Sequence, residues 1–288
     1  MAFRIYVDGR ITDARDAMVP VLDRGFLYGD GVYEVTRTAG GRPVDLEPHL
    51  DRLARSADRI GLALPPRDAM IAAIDATLAD AGNPESYLRV IVTRGAGEMG
   101  LDPALADAPR LVVIVRPLAL PAPALYVDGS SLRLVSVKRN SPGALDPAIK
   151  SGNYLNNILG LAEARRAGAA EAVMCDDQGR VCEGSSSNVW CVRGGVVATP
   201  PLHVGLLPGI TRWRLLQLAR ADGVAVEEVE LYPADLHAAD ELFITSSIRG
   251  VLPISRLDDR SLPVGPVTTR LVALYERFLA DQAGRVAT

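Results

Sequence analysis

Apolar and polar residues alternate about tight turns in two stretches near the amino terminus, residues 3–12 around Asp8-Gly9 and residues 32–45 around Gly40-Gly41. Alternation sends successive side chains to opposite faces, so both stretches read as β-hairpins. From Glu47 to Gly61 the period changes: Leu50, Leu53, Ala57, Ile60 and then Leu64 recur at helical spacing. That spacing predicts a helix with Arg52, Arg55 and Arg59 toward its polar or cleft side. A second, Ala-rich helix is expected from about Asp68 to Ala81, stopped by Gly82-Asn83-Pro84, with strands after it at 87–93 and 111–116. Pro117, Pro121 and Pro123 then mark residues 117–130 as a stiff, extended connector. It separates a small N-terminal domain, 1–116, from a larger C-terminal domain, 131–288.

In the larger domain strands are expected near 132–137, 170–175, 187–192, 195–198, 224–230 and 241–245, with helices near 153–167, 210–222 and 265–282. Tight turns at Gln178-Gly179 and Gly194-Gly195 leave most successive strands no room for a crossover helix. The expected class is α+β, with a largely antiparallel or barrel-like sheet rather than a doubly wound one.

Net charge is −4, with both signs interspersed and few aromatics, which argues against nucleic acid as the main partner and for a small ligand. Apolar runs such as Leu111 to Val115 are too short to cross a bilayer. The opening residues MAFRIYVDGR lack the apolar stretch of a signal peptide, so the cytosol is expected. Cys175, Cys182 and Cys191 form no metal-like or disulfide-like spacing and read as small buried hydrophobes. His49, His203 and His237 lie far apart, and no metal is expected.

The basic residues carry a sharper signal. Of thirty-one, only Lys138 and Lys150 are lysines. Arginine stays protonated, whereas a desolvated lysine can attack a carbonyl and form a Schiff base. Codon bias in an Ala- and Arg-rich chain explains the scarcity but not the survivors. Lys138 ends an apolar strand and is expected in solvent. Lys150 precedes a helix in a loop between domains, from which it can reach a cleft.

Three further runs join it: Glu183-Gly184-Ser185-Ser186-Ser187-Asn188 at a strand start, Leu207-Pro208-Gly209-Ile210-Thr211-Arg212 opening a helix, and Thr245-Ser246-Ser247 at a strand end. Free N–H groups at a helix start favour an anion, and hydroxyls add donors. An amine for an aldehyde, a carboxylate for a ring nitrogen and donors for a phosphate match the needs of pyridoxal 5'-phosphate. With Asp23-Arg24-Gly25-Phe26-Leu27-Tyr28-Gly29-Asp30-Gly31-Val32-Tyr33-Glu34 and His49-Leu50-Asp51-Arg52-Leu53, the chain resembles the class IV, fold-type IV pyridoxal-phosphate enzymes. That family includes D-amino acid transaminases, branched-chain aminotransferases and aminodeoxychorismate lyases.

The resemblance implies a small N-terminal α/β sandwich domain, a larger barrel-like domain and a homodimer. It implies that Lys150 forms the Schiff base and shuttles a proton, and that Glu183 pairs with the pyridine nitrogen. Arg52, Gly209, Ile210, Thr211, Ser246 and Ser247, with Ser187 and Asn188, would hold the cofactor and its phosphate. Tyr154 would meet the phenolic oxygen, although it stands one residue closer to the lysine than is usual in branched-chain enzymes. Tyr87-Leu88-Arg89 and Gly97-Glu98-Met99-Gly100-Leu101-Asp102-Pro103 are similar to branched-chain enzymes, whereas Gly31-Val32-Tyr33-Glu34-Val35 is similar to the D-enzymes. The Arg-x-His pair of the better-known D-enzymes is absent after Arg94. The implied carboxylate ligand is therefore Arg89, with Tyr87 beside it and Arg24 as a second choice, and Tyr33 would line the pocket. The expected reaction moves an amino group from an amino acid, D-amino acids first, to a 2-oxo acid such as 2-oxoglutarate or pyruvate. L-branched-chain transamination, an aminodeoxychorismate lyase and a non-enzymatic cofactor-binding module are the alternatives.

Overall fold

A computed structural model describes residues 2–284. The chain forms two compact units: one gathers the residues up to Ala119 with Ile149–Asn153 and the segment from Leu279, the other Leu120–Ala148 with Tyr154–Phe278. The five residues around Lys150 thus group with the first unit, although the sequence on either side belongs to the second.

The first unit contains β1 (Arg4–Val7), β2 (Arg10–Asp13), α1 (Arg24–Tyr28), β3 (Gly31–Ala39), β4 (Arg42–Pro43), α2 (Leu46–Arg59), α3 (Arg67–Ala81), β5 (Ser86–Thr93) and β6 (Arg110–Pro117). Among the described residues its sheet runs β2-β1-β6-β5-β3-β4, antiparallel at every pairing. The alternation in β5 shows why one face is covered. Ser86, Leu88, Val90 and Val92 are buried, while Tyr87, Arg89, Ile91 and Thr93 are half-buried on the opposite face. Val32, Leu88, Val90, Val92, Val113 and Val115 meet Leu50, Leu53 and Ala57 of α2 and Met70 and Ile74 of α3. Each of the larger side chains, Ala57 aside, contributes about 1.5–3 kcal/mol on burial.

The helix expected from Glu47 is present, but Arg52 does not lie on its polar side. Arg55 and Arg59 are exposed, whereas Arg52 is only 3% exposed, in a column with His49 and Ser56 along the edge of the apolar stripe. Its charge is tolerated there because Glu34, from β3, reaches it.

Residues 149–153 add to the start of β3. Tyr33 N–H donates to the Lys150 carbonyl at 2.9 Å, Gly152 N–H to the Gly31 carbonyl at 3.0 Å, and Lys150 N–H to Ser56 Oγ at 3.1 Å. Ile149 packs against the first unit's core.

In the second unit the connector is not fully extended. Residues Ala124–Asp128 form a short helix, α4, that starts directly after Pro123. Proline suits a helix start because its missing N–H is not needed there. Leu125 and Tyr126 of α4 pack on the second unit's core. The remaining elements are β7 (Ser130–Leu134), α5 (Leu155–Arg166), β8 (Glu171–Cys175), β9 (Val181–Gly184), β10 (Asn188–Arg193), β11 (Val196–Thr199), α6 (Ile210–Ala221), β12 (Val226–Glu228), α7 (Pro233–His237), β13 (Glu241–Ser246), β14 (Gly250–Leu257), β15 (Arg260–Ser261) and α8 (Pro266–Gly284).

Among the described residues the sheet order is β12-β11-β10-β13-β14-β7-β8-β9, with β15 beside β14. Most pairings are antiparallel, as the short turns suggest, but β11–β12, β14–β7 and β7–β8 are parallel. The sheet curls into a half-barrel around Leu132, Val173, Val189, Leu242, Ile254 and Leu257. Val181 N–H, at the start of β9, donates to the carbonyl of Leu231, three residues beyond β12, at 2.7 Å. The two edges therefore approach one another. Cys175, Cys182 and Cys191 are free and buried, and burial pushes the thiols of Cys182 and Cys191 up to about 12. They are inert at neutral pH. Among the described residues no helix is long and apolar enough to cross a membrane.

Candidate active site

β3 divides its chemistry between two faces. Tyr33 points to the half-exposed face of the first sheet, where it lies opposite Ile91, so Arg89 is its diagonal neighbour two residues along β5. The Arg89 guanidinium carbon is 4.0 Å from the Tyr33 ring centroid, and the Lys150 amine is 4.6 Å from it. The aromatic face attracts both cations. No carboxylate among the described residues forms an ion pair with Arg89, and its buried Nε has no hydrogen-bond partner. A guanidinium over a tyrosine ring and without an acid partner keeps donors that suit a carboxylate. Tyr87 shares that face of β5, beneath the Arg116 guanidinium at 4.5 Å. Lys150 is 9% exposed as a residue, whereas Lys138 lies in solvent as expected.

On the opposite face Glu34 accepts from Arg52 Nε and Nη2, each at 2.7 Å, and contacts His49 Nδ1 at 2.7 Å. Burial alone would raise the Glu34 pKa, but the charge and hydrogen bonds of Arg52, then of His49, hold it down at about 2. Burial also keeps the His49 pKa below its usual value against the pull of Glu34. Glu34 is thus charged, and it fixes the arginine proposed for the phosphate. Arg24 has a different task from the one considered for it. Its Nε bonds Asp30 at 2.9 Å, and its two terminal nitrogens hold the carbonyls of Gly100 and Leu101 at 2.8 and 3.3 Å. It anchors the 97–101 loop.

In the second unit Glu183 Oε1 accepts from Arg139 Nε at 2.8 Å and Oε2 from Leu207 N–H at 3.1 Å. Arg139 also donates to Asn156 Oδ1 at 3.0 Å. A carboxylate has about four acceptor sites, so two donors leave Glu183 able to take the N–H of a ring nitrogen. Arg139 escaped the sequence reading, which weighed its neighbour Lys138 instead. Its signal was phase: Val135, Val137 and Arg139 alternate, which puts the arginine on the same side as buried Val135.

The serine run forms a turn closed by Gly184 N–H to the Ser187 carbonyl at 2.7 Å. The hydroxyls of Ser185, Ser186 and Ser187 all turn to Glu171. The Ser187 hydroxyl, expected at the cofactor, is therefore engaged inside the fold, and what the turn offers a ligand is backbone. Asn188 Nδ2 donates to the Leu207 carbonyl at 3.0 Å and braces the turn that leads into α6. A Cβ at Gly209 would overlap Asn188 Oδ1, so any other residue there would have to displace the Asn188 side chain. Gly209 is the N-cap of α6, and the N–H groups of Ile210 and Thr211 stand in its first turn, without carbonyl partners one turn earlier. Ser246 Oγ accepts from Arg249 Nε at 3.1 Å, with Ser247 next in the same turn. Tyr154 caps the start of α5, where its carbonyl accepts from Ile158 N–H at 2.9 Å.

A family model for class IV amino-transferases matches residues 31–257. The chain belongs to that family. A putative branched-chain-amino-acid aminotransferase of Methanocaldococcus jannaschii is 40% identical over 272 residues, 93% of each chain. A D-alanine aminotransferase of Bacillus licheniformis is 31% identical over 98% of this chain and all of its own. Among solved structures, the branched-chain aminotransferase of Thermoproteus uzoniensis with norvaline has a TM-score of 0.90 and 32% identity, covering 97% of this chain and 95% of that one. The chain is accordingly a two-domain, fold-type IV aminotransferase that uses pyridoxal 5'-phosphate. The donor types fit that cofactor: a lysine amine, a buried carboxylate with spare acceptor sites, and a helix start whose first N–H groups have no carbonyl one turn earlier.

Proposed function

We propose that the enzyme transfers amino groups between L-branched-chain amino acids and a 2-oxo acid such as 2-oxoglutarate, with Lys150 as its catalytic residue. The observation that carries this reading is Arg89, a cation without a carboxylate partner beside Tyr33 and the Lys150 amine. When bound, the cofactor supplies an aldehyde for that amine and a ring that withdraws electrons from the substrate α-carbon. Lys150 tethers it and carries the proton to and from that carbon. Glu183, steadied by Arg139, accepts from the ring nitrogen and keeps it protonated. Arg52, the backbone of Gly209, Ile210 and Thr211, and Ser246 and Ser247 take the phosphate, with the Ser187–Asn188 backbone and Tyr154 completing the contacts.

The sequence reading ranked D-amino acids first, on Tyr33-Glu34-Val35. We reverse the order. Arg94 opens the segment in which the better-known D-enzymes carry their carboxylate pair, and here it is committed to Asp30 and to the carbonyls of Ile60 and Gly61. Tyr87-x-Arg89 resembles the branched-chain pattern, and Arg89, over Tyr33, has no carboxylate partner among the described residues. D-amino acid transamination remains the second reading, favoured by the Tyr33 run and the D-alanine aminotransferase relatives.

Single half-reactions with D- and L-forms of leucine, valine and alanine test the ranking. L-Leucine and L-valine should react fastest; faster D-alanine would install the second reading. In the same assay Arg89→Ala should raise KM for amino acids about 30-fold, the equivalent of one charge-assisted pair of about 2 kcal/mol. Amines without a carboxylate should be unaffected, and an equal effect on both would place Arg89 elsewhere.

We also propose a homodimer. Leu155, Ile158 and Leu159 form an exposed apolar stripe on α5, and Met18, Val21, Phe26, Met99 and Leu101 are exposed on the first unit. Apolar patches of this kind mark contact surfaces. Sedimentation of the holoenzyme at the mass of one chain would refute it.

A further inference from the structure

Glu171, the first residue of β8, is only 2% exposed and takes no part in the chemistry above. It accepts from Ala172 N–H at 3.0 Å and Ser185 N–H at 2.9 Å, from the Ser185 hydroxyl, and from the Ser186 and Ser187 hydroxyls at 3.1 and 3.3 Å. Arg249 Nη1 donates to it at 2.9 Å. The rest of the Arg249 guanidinium is equally engaged. Nε meets Ser246 Oγ at 3.1 Å, and Nη2 meets the Ser186 hydroxyl at 2.7 Å and the Ser186 carbonyl at 3.1 Å. The Arg249 carbonyl in turn accepts from Tyr126 of α4 at 2.8 Å. One ion pair therefore clasps two turns, Ser185–Ser187 after β9 and Ser246–Arg249 between β13 and β14.

We infer that Glu171 and Arg249 are positioning residues that hold these two serine turns at the spacing that receives the cofactor's phosphate. This rests on the reading that Ser246 and Ser247 take that phosphate and that the Ser187–Asn188 backbone completes the cofactor's contacts. The charges give the clasp a sign. A buried carboxylate beside an anion site repels the anion, and Arg249 cancels that repulsion while its fork fixes the geometry. Burial works to raise the Glu171 pKa, but Arg249 and the Ser185 hydroxyl outweigh it and lower it, so the acid is charged at neutral pH. Removing the arginine leaves an unbalanced negative charge under the turns. Removing the acid as well relieves the repulsion but not the loss of order.

The test compares equilibrium affinities of the full-length enzyme for pyridoxal 5'-phosphate and for pyridoxal, which lacks the phosphate. Absorbance and borohydride trapping at Lys150 serve as readouts. Arg249→Gln should weaken binding of the phosphorylated form about 30-fold, as expected for charge-assisted bonds, and that of pyridoxal by less than about three-fold. Glu171→Gln in the Arg249→Gln background should recover part of the loss, the non-additivity of a coupled pair. Arg249→Lys, which keeps the charge but not the fork, should fall between the wild type and Arg249→Gln. Equal weakening of both ligands, or no weakening of either, would overturn the inference. A wild-type enzyme that does not itself distinguish the two ligands would instead overturn the phosphate reading on which it rests.

Discussion

Lys150→Ala should abolish amino transfer, with turnover lower by about a thousand-fold or more, the scale of a lost acid–base group. Lys138→Ala should stay within about two-fold of the wild type, because that side chain is in solvent. The contrast follows from placement. Lys150 is held against the start of β3 by main-chain bonds to Tyr33 and Ser56, and its amine lies over the Tyr33 ring. Arginine at the same position would keep the charge but could neither condense with an aldehyde nor release a proton at neutral pH. Steady-state rates, with borohydride reduction and peptide mapping of the cofactor label, measure the effect. A label recovered from a peptide without position 150 would end the assignment.

Glu34→Gln should destabilise the first unit by about 3–5 kcal/mol, since it leaves the Arg52 charge buried without its counter-charge. The same pair makes the wild type acid-sensitive. The Glu34 pKa in the fold, about 2, lies below its ordinary 4.5. Its contribution of roughly 3 kcal/mol is therefore complete above pH 4.5 and is lost as pH falls from there toward 2. His49 adds in the same direction, because its pKa is lowered in the fold and the unfolded chain takes up that proton first as pH drops below about 6.5. Urea midpoints at pH 7 and pH 3 should differ strongly in the wild type and far less in the variant. Equal midpoints for the two proteins at pH 7 would show that the pair contributes nothing.

Periodicity disclosed the elements that bury one face. β5, with its strict alternation, the β3–β4 hairpin about Gly40-Gly41, and α2 and α3, with their apolar stripes, lie within a residue or two of where the pattern puts them. Strands buried on both faces, β8, β10 and β13, were still legible as short apolar runs between turns, but two others were missed. β9, Val181–Gly184, is buried at every residue and has no alternation to read. β14 carries Pro253, which reads as a breaker, yet it sits opposite Phe243 within the ladder. At the candidate site, composition narrowed the amine to two lysines and the loop before a helix favoured Lys150, while Glu183 and Gly209 stood out by their small-residue company. The groups that steady them did not stand out. Arg52 looks like a surface cation until Glu34 arrives from eighteen residues away, and Glu171 and Arg249 are seventy-eight residues apart. Long-range ion pairs leave no local pattern.

The bonds at Tyr33, Ser56 and Gly152 give the Lys150 amine a fixed origin. Its working radius is set by four methylenes and nothing else, because the main chain beneath it is stitched to a strand. A shorter amine at this position could not be carried forward by a yielding loop, and a longer one would overshoot. The place from which this amine reaches out is thus a property of the sheet and of α2.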